Sequence, residues 1–188
     1  MTRRGTIGLA ALLAMALAAP LGAQNAGPGM HMHGADGTGH DMATMPGLRG
    51  LDASPEESFE MQVMFRNFPA IEREVTKLPN GIRAHTFSAN PDLAAVIVSH
   101  VVGMIGRVEE GRDPQVFIQS PTLDILFERR ASITTEIEAT EAGVLVTQTS
   151  DDPEVVAALQ LHAAEVSDMA ARGMMAVHER MMTQAASN

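Results

Sequence analysis

From Ile71 to Lys77, and again from Ile133 to Thr140, apolar and polar residues alternate with the period of a half-buried strand. Each run is followed by turn chemistry, Pro79-Asn80-Gly81 and Glu141-Ala142-Gly143, in which glycine is expected to take positive φ. Ile82 to Ser88 and Val144 to Ser150 then return as second strands, so each series predicts a β-hairpin. Beyond the hairpins the period becomes helical. Asn90 before Pro91, and Asp152 before Pro153, match an N-cap followed by proline in the first turn. Asp92 and Glu154 favour the helix dipole there, and Gly111 and Gly173 mark where each helix ends, pauses or bends. Amphipathic stretches, Pro55 to Ala70 and Pro121 to Ala131, precede the hairpins, and Arg112 to Ser120 is a short connection.

The two series are copies. Phe65 to Gly111 lies over Phe127 to Gly173 without a gap at a constant offset of 62 residues, with identities at Phe65/Phe127, Ile71/Ile133, Glu74/Glu136, Gly81/Gly143, Ser88/Ser150, Pro91/Pro153, Ala95/Ala157, His100/His162 and Gly111/Gly173. A lone hairpin cannot bury its apolar face, so two αββα units are expected to share one core. The fold class predicted is α+β: duplicated αββα units (about 55–111 and 120–182) in one domain over 51–188, with a four-stranded antiparallel sheet, helices on one face and a pseudo-two-fold axis.

The N-terminal segment has a different organisation. Arg3 and Arg4 precede an apolar run from Ile7 to Ala19, then Pro20 and Leu21-Gly22-Ala23, which is the layout of a cleavable signal peptide over 1–23. The run holds roughly 13 apolar residues where a membrane span needs about 20, and no Cys follows it for a lipid anchor. The expected location is the bacterial periplasm, with no membrane insertion after signal removal. The chain carries a formal charge of −10, and loss of two arginines makes it about −12. With 23 acids, 13 bases and Phe as the sole aromatic of the Phe, Tyr and Trp set, nucleic-acid binding is excluded. The absence of Cys also excludes disulfides, thiolate zinc, a cysteine nucleophile and c-type haem.

Residues 24–50 are rich in Gly and small polar residues, have no period, and read as a flexible arm. Met30, His31, Met32, His33, His40 and Met42 lie within it. Thioether sulfur suits Cu(I) and imidazole suits Cu(II), so this tract is a copper-collecting candidate; the competing reading is an ordinary low-complexity linker. His100 shares a helical face with Leu93, Val96, Ile97, Val101 and Met104, and His162 is similarly placed near Val155, Leu159, Val166 and Met169. The duplication therefore puts two imidazoles on inward helix faces, where they can share a copper ion or the iron of haem b. The alternative is a pair of core histidines bonded to backbone carbonyls or hydroxyls. His178, with Met174, Met175, Met181 and Met182 at helical spacing, forms a third candidate, which packing against a core or partner also explains. His85 reads as an ordinary strand residue, and Arg129-Arg130 and Glu109-Glu110 as solvated helix ends. No G-x-S-x-G elbow, phosphate loop or H-E-x-x-H pair is present, and no enzyme is expected.

The motif G-[IV]-x5-S-x-[ND]-P-x8-H, from Gly81 to His100 and from Gly143 to His162, resembles an uncharacterised family of small exported bacterial proteins. The resemblance spans most of 65–173 and implies no activity. In that family a further His tends to stand just before the first strand, where this chain has Phe68 or a close neighbour. The function expected is an exported, non-catalytic metal-binding protein, with copper first and haem b as the alternative. A structural or partner-binding module without ligand is the other class, its partner a second copy of the chain or a periplasmic protein.

Overall fold

A computed structural model describes residues 50–186. Arm residues Met30, His31, Met32, His33, His40 and Met42, and the signal segment, lie outside the described residues. Five α-helices, two 3₁₀ turns and four strands follow in the order α1 (Pro55–Arg66), a 3₁₀ turn (Phe68–Ala70), β1 (Glu72–Leu78), β2 (Gly81–Phe87), α2 (Pro91–Glu110), α3 (Thr122–Glu128), a second 3₁₀ turn (Arg130–Ser132), β3 (Thr134–Ala139), β4 (Gly143–Thr149), α4 (Pro153–Arg172) and α5 (Met174–Ala186).

The strands form one antiparallel sheet in the order β1-β2-β4-β3, so the second strands of the two hairpins meet at its centre. Gly81 pairs with Thr149, Ala84 with Val146 and Phe87 with Gly143. Ile82, Ala84, Thr86, Val144 and Val146 are buried on the helix side, while Arg83, His85, Leu145 and Thr147 alternate onto the open side. α4 packs over β1 and β2, and α2 packs against β4. Ile97, Leu159 and Val155 are almost fully buried, each worth about 1.5–3 kcal/mol relative to exposure. α2 is the one described helix long and apolar enough to cross a membrane by length and composition; here its Leu93 and Ile97 pack with Val144 and Val146 of the sheet.

Local chemistry fixes the ends of these elements. Ser54 and Glu57 cap α1 reciprocally: the Glu57 amide donates to Ser54 Oγ at 3.1 Å, and the Ser54 amide donates to Glu57 Oε2 at 2.7 Å. Asn90 Oδ1 accepts from the amides of Asp92 and Leu93, and Asp152 Oδ1 accepts from that of Glu154. The serine two residues before each cap is also used. Ser88 Oγ accepts from the Asn90 amide at 3.2 Å, Ser150 Oγ from the Asp152 amide at 3.1 Å, and the amides of Ser88 and Ser150 donate to Ala142 and Asn80 in the opposite hairpin's turn.

Two expectations are corrected. Gly81 and Gly143 do not have positive φ, which among the described glycines belongs to Gly111 and Gly173. They are required for space: a Cβ would sit 1.9 Å from the Gln148 carbonyl oxygen at Gly81, and 2.1 Å from that of Thr86 at Gly143. Arg129 is not merely a solvated helix end, because it bridges to Asp152 at 2.8 Å and Glu154 at 2.6 Å and so ties the end of α3 to the start of α4.

Candidate ligand cavity

Between the helix-facing side of the sheet and the helices lies a cavity of about 290 Å³, near the lower end of the range for small-molecule sites. Ile82, Ala84 and Val146 line its sheet side, Val101, Met104 and Ile105 the α2 side, and Leu159, Val166 and Met169 the α4 side. α1 and the connection before α3 contribute Met61, Met64, Phe65, Val116 and Ile118. The walls are thus mainly aliphatic, with a small polar set.

His100 and His162 both line this cavity. His100 Nδ1 lies 3.8 Å from Glu60 Oε2 of α1, and His162 Nδ1 lies 3.8 Å from Glu165 Oε2 one turn along α4. Neither Nδ1 makes a hydrogen bond, although both are buried. The His100 imidazole, with the Ser99 hydroxyl, holds the Glu60 carboxyl below its ordinary pKa. Burial opposes ionisation of Glu165, but His162 and the donating Ser120 hydroxyl, at 2.7 Å, hold its pKa down as well. Each imidazole thus has a carboxylate beside Nδ1 at ion-pair distance, without a hydrogen bond to it.

Arg73 and Arg180 line the cavity, Arg107 lies outside it and pairs with the wall residue Glu57, and the three differ in how they are satisfied. Arg107, 4 % exposed, donates through Nε and Nη2 to Glu57 at 2.5 and 2.8 Å. It also donates to Asp52 Oδ2 at 2.8 Å and to the carbonyls of Asp52 and Arg112, so its guanidinium is held at every nitrogen, and Glu57 is pushed below the usual carboxylate range by it. Arg180 donates to the Ile118 carbonyl, and its Nε is buried without a partner. Arg73, on β1, donates to Thr86 Oγ1 alone, its Nε is buried and unpartnered, and it has no ion pair with any described acid. Burial without an acid lowers its pKa to about 10, so it remains a cation at neutral pH.

The remaining candidates separate. His178 lies on α5 and does not line the cavity; Met174 and Met181 pack with Ile118 and Val177, whereas Met175 and Met182 are exposed, so the tail stripe is divided between core and solvent. His85 is on the sheet's open side, stacked on Phe87 with ring centroids 4.5 Å apart. Among the described residues, no group of three or more His, Asp or Glu is placed to hold a metal ion. Arg73 and the cavity methionines were not read from the sequence as a site. Arg73 had a signal, because the strand period that puts Val75 inward puts Arg73 inward too.

No family model, curated protein or solved structure matches this chain.

Proposed function

We propose that this chain is a non-catalytic binding protein whose folded domain holds a small, mainly apolar molecule between the sheet and the helices, with His100 and His162 as its polar recognition groups. One observation carries this reading: two imidazoles from separate helices line a single, mainly aliphatic cavity, each with a carboxylate beside it. The export signal and periplasmic location remain part of the proposal. So does the duplication. The central pairing of Ala84 with Val146, residues 62 apart in sequence, is the register that a two-fold between equal repeats requires.

The neutral dye N-phenyl-1-naphthylamine tests the cavity directly, since the chain has no Trp or Tyr to obscure it. Saturable enhancement is expected. Ala170→Phe, which fills the cavity, should weaken it about tenfold, roughly 1.4 kcal/mol, while Val102→Phe on the exposed side of α2 should not. No dye enhancement from folded protein, together with no dodecanoate binding by calorimetry, overturns the reading.

A second reading keeps both imidazoles as metal ligands. It is favoured by their carboxylate partners and by Met61, Met64, Met104 and Met169 in the same walls, soft donors suited to Cu(I). The iron of haem b between the two rings is its other form; bound there, such a group supplies one-electron redox chemistry. Copper competition with a chromophoric chelator and a haemin titration followed in the Soret region separate the two forms. Loss of either signal in both His100→Ala and His162→Ala is the expected result, and no saturable signal removes this reading.

A further inference from the structure

We infer that Arg73 is the anchor for an acidic group, so that the molecule taken into the cavity is an amphiphile with a carboxylate at one end and an apolar body. This rests on the binding function proposed above.

The inference begins with an imbalance. A cation taken out of water costs several kcal/mol unless a counter-ion or full hydrogen bonding compensates it. Arg107, in the same domain, meets that requirement with Glu57, Asp52 and two carbonyls. Arg73 does not. It lines the cavity half-buried, is bonded only to Thr86 Oγ1, and has its Nε buried without a partner. A carboxylate entering the cavity would neutralise the charge, and Arg presents the planar fork that carboxylates match.

The other half of the chain indicates that the charge is not a need of the fold. The cross-strand positions of Arg73 and Thr86 correspond, 62 residues on, to Thr135 and Gln148, where Gln148 Nε2 donates to Thr135 Oγ1 at 3.3 Å. A neutral pair thus fills the same place in the sheet. The walls beyond Arg73, among them Ile82, Ala84, Leu159 and Met169, suit an aliphatic or porphyrin body.

The test is displacement of N-phenyl-1-naphthylamine from the purified protein at about pH 7.5, where a carboxylic acid is ionised, by dodecanoate and by dodecan-1-ol, with haemin titrated in parallel. Dodecanoate is expected to act at a concentration at least about tenfold below that of the alcohol. Arg73→Met should abolish this preference, with displacement in each variant referred to that variant's own dye affinity, and Arg73→Lys should retain it. Haemin uptake weakened by Arg73→Met assigns the same anchor to a haem carboxylate, whereas a response to dodecanoate alone assigns it to an aliphatic acid. Equal potency of acid and alcohol, or a preference that survives Arg73→Met, overturns the anchor and leaves the apolar cavity standing. If the dye does not bind, calorimetry with dodecanoate decides: binding lost in Arg73→Met upholds the anchor, and no binding overturns both the anchor and the cavity reading.

Discussion

Replacing Arg107 and Arg73 by methionine, one at a time, makes the same change in side-chain chemistry at a buried and a half-buried arginine and should cost stability only at the first. Arg107→Met strips Glu57 and Asp52 of their shared cation and leaves the carbonyls of Asp52 and Arg112 without their donor. Removing one partner from a buried ion pair costs about 3–5 kcal/mol. Here the abandoned carboxylates can rehydrate, Glu57 being 25 % and Asp52 60 % exposed, so the lower figure, about 3 kcal/mol, applies. For a domain of this size that is a fall of roughly 10 °C in Tm. Arg73→Met instead removes a desolvated cation that has no acid, and the methionine retains most of the apolar stem. The ligand-free protein should be unchanged or stabilised by up to about 1 kcal/mol. Urea unfolding followed by circular dichroism measures both, because intrinsic Trp and Tyr fluorescence is absent. Equal destabilisation by the two substitutions would refute the distinction between a satisfied and an idle arginine.

The hairpin glycines and the acid limb give further tests. Gly81→Ala and Gly143→Ala should each cost about 2 kcal/mol or more, because the added methyl meets a strand carbonyl; Gly103→Ala, with open space around it, should stabilise α2 by about 0.5–1 kcal/mol in the same urea assay. Glu60 and Glu165 have folded-state pKa values below the ordinary 4.5. Their contribution is therefore present above that value and lost as pH falls through the folded value, so Glu60→Gln with Glu165→Gln should flatten the fall of stability below pH 4.5. An unchanged acid limb in that double variant would remove the His–Glu pairs from the stability account.

Much of the fold was legible because its signals are local. Alternation around Val75 and Ile82, and the caps at Asn90 and Asp152, identify strands and helix starts from a few neighbouring residues. The hairpin glycines were placed correctly but for the wrong reason: their need comes from a carbonyl on a strand more than 55 residues away, which no turn rule contains. Ser88 and Ser150 are similar, since their amides close the other hairpin's turn. The paired histidines were visible, and both do line one cavity, yet Glu60 belongs to a different helix from His100 and was not linked to it. Arg73 was passed over because a cation in an edge strand ordinarily reads as solvated; its burial depends on α4 crossing back over the first hairpin.

That crossing also bears on what the cavity selects. If the halves arose by duplication, the sheet register and the two histidines are what the copies share, and the cavity's other polar groups are where they have diverged. His100 takes its carboxylate from α1, whereas His162 takes one from its own helix, steadied by Ser120. Arg73 lines the cavity from one hairpin, whereas in the other Thr135 at the matching position does not and its neutral partner Gln148 does. A ligand with two equivalent ends would gain nothing from this difference. Under the proposed binding function a molecule with one acidic end would use it, because turning the molecule around would move its carboxylate from a guanidinium to the neutral Gln148 amide. Under the proposed binding function, orientation within the cavity would follow from this difference between the halves, with Arg73 the residue at which it carries charge.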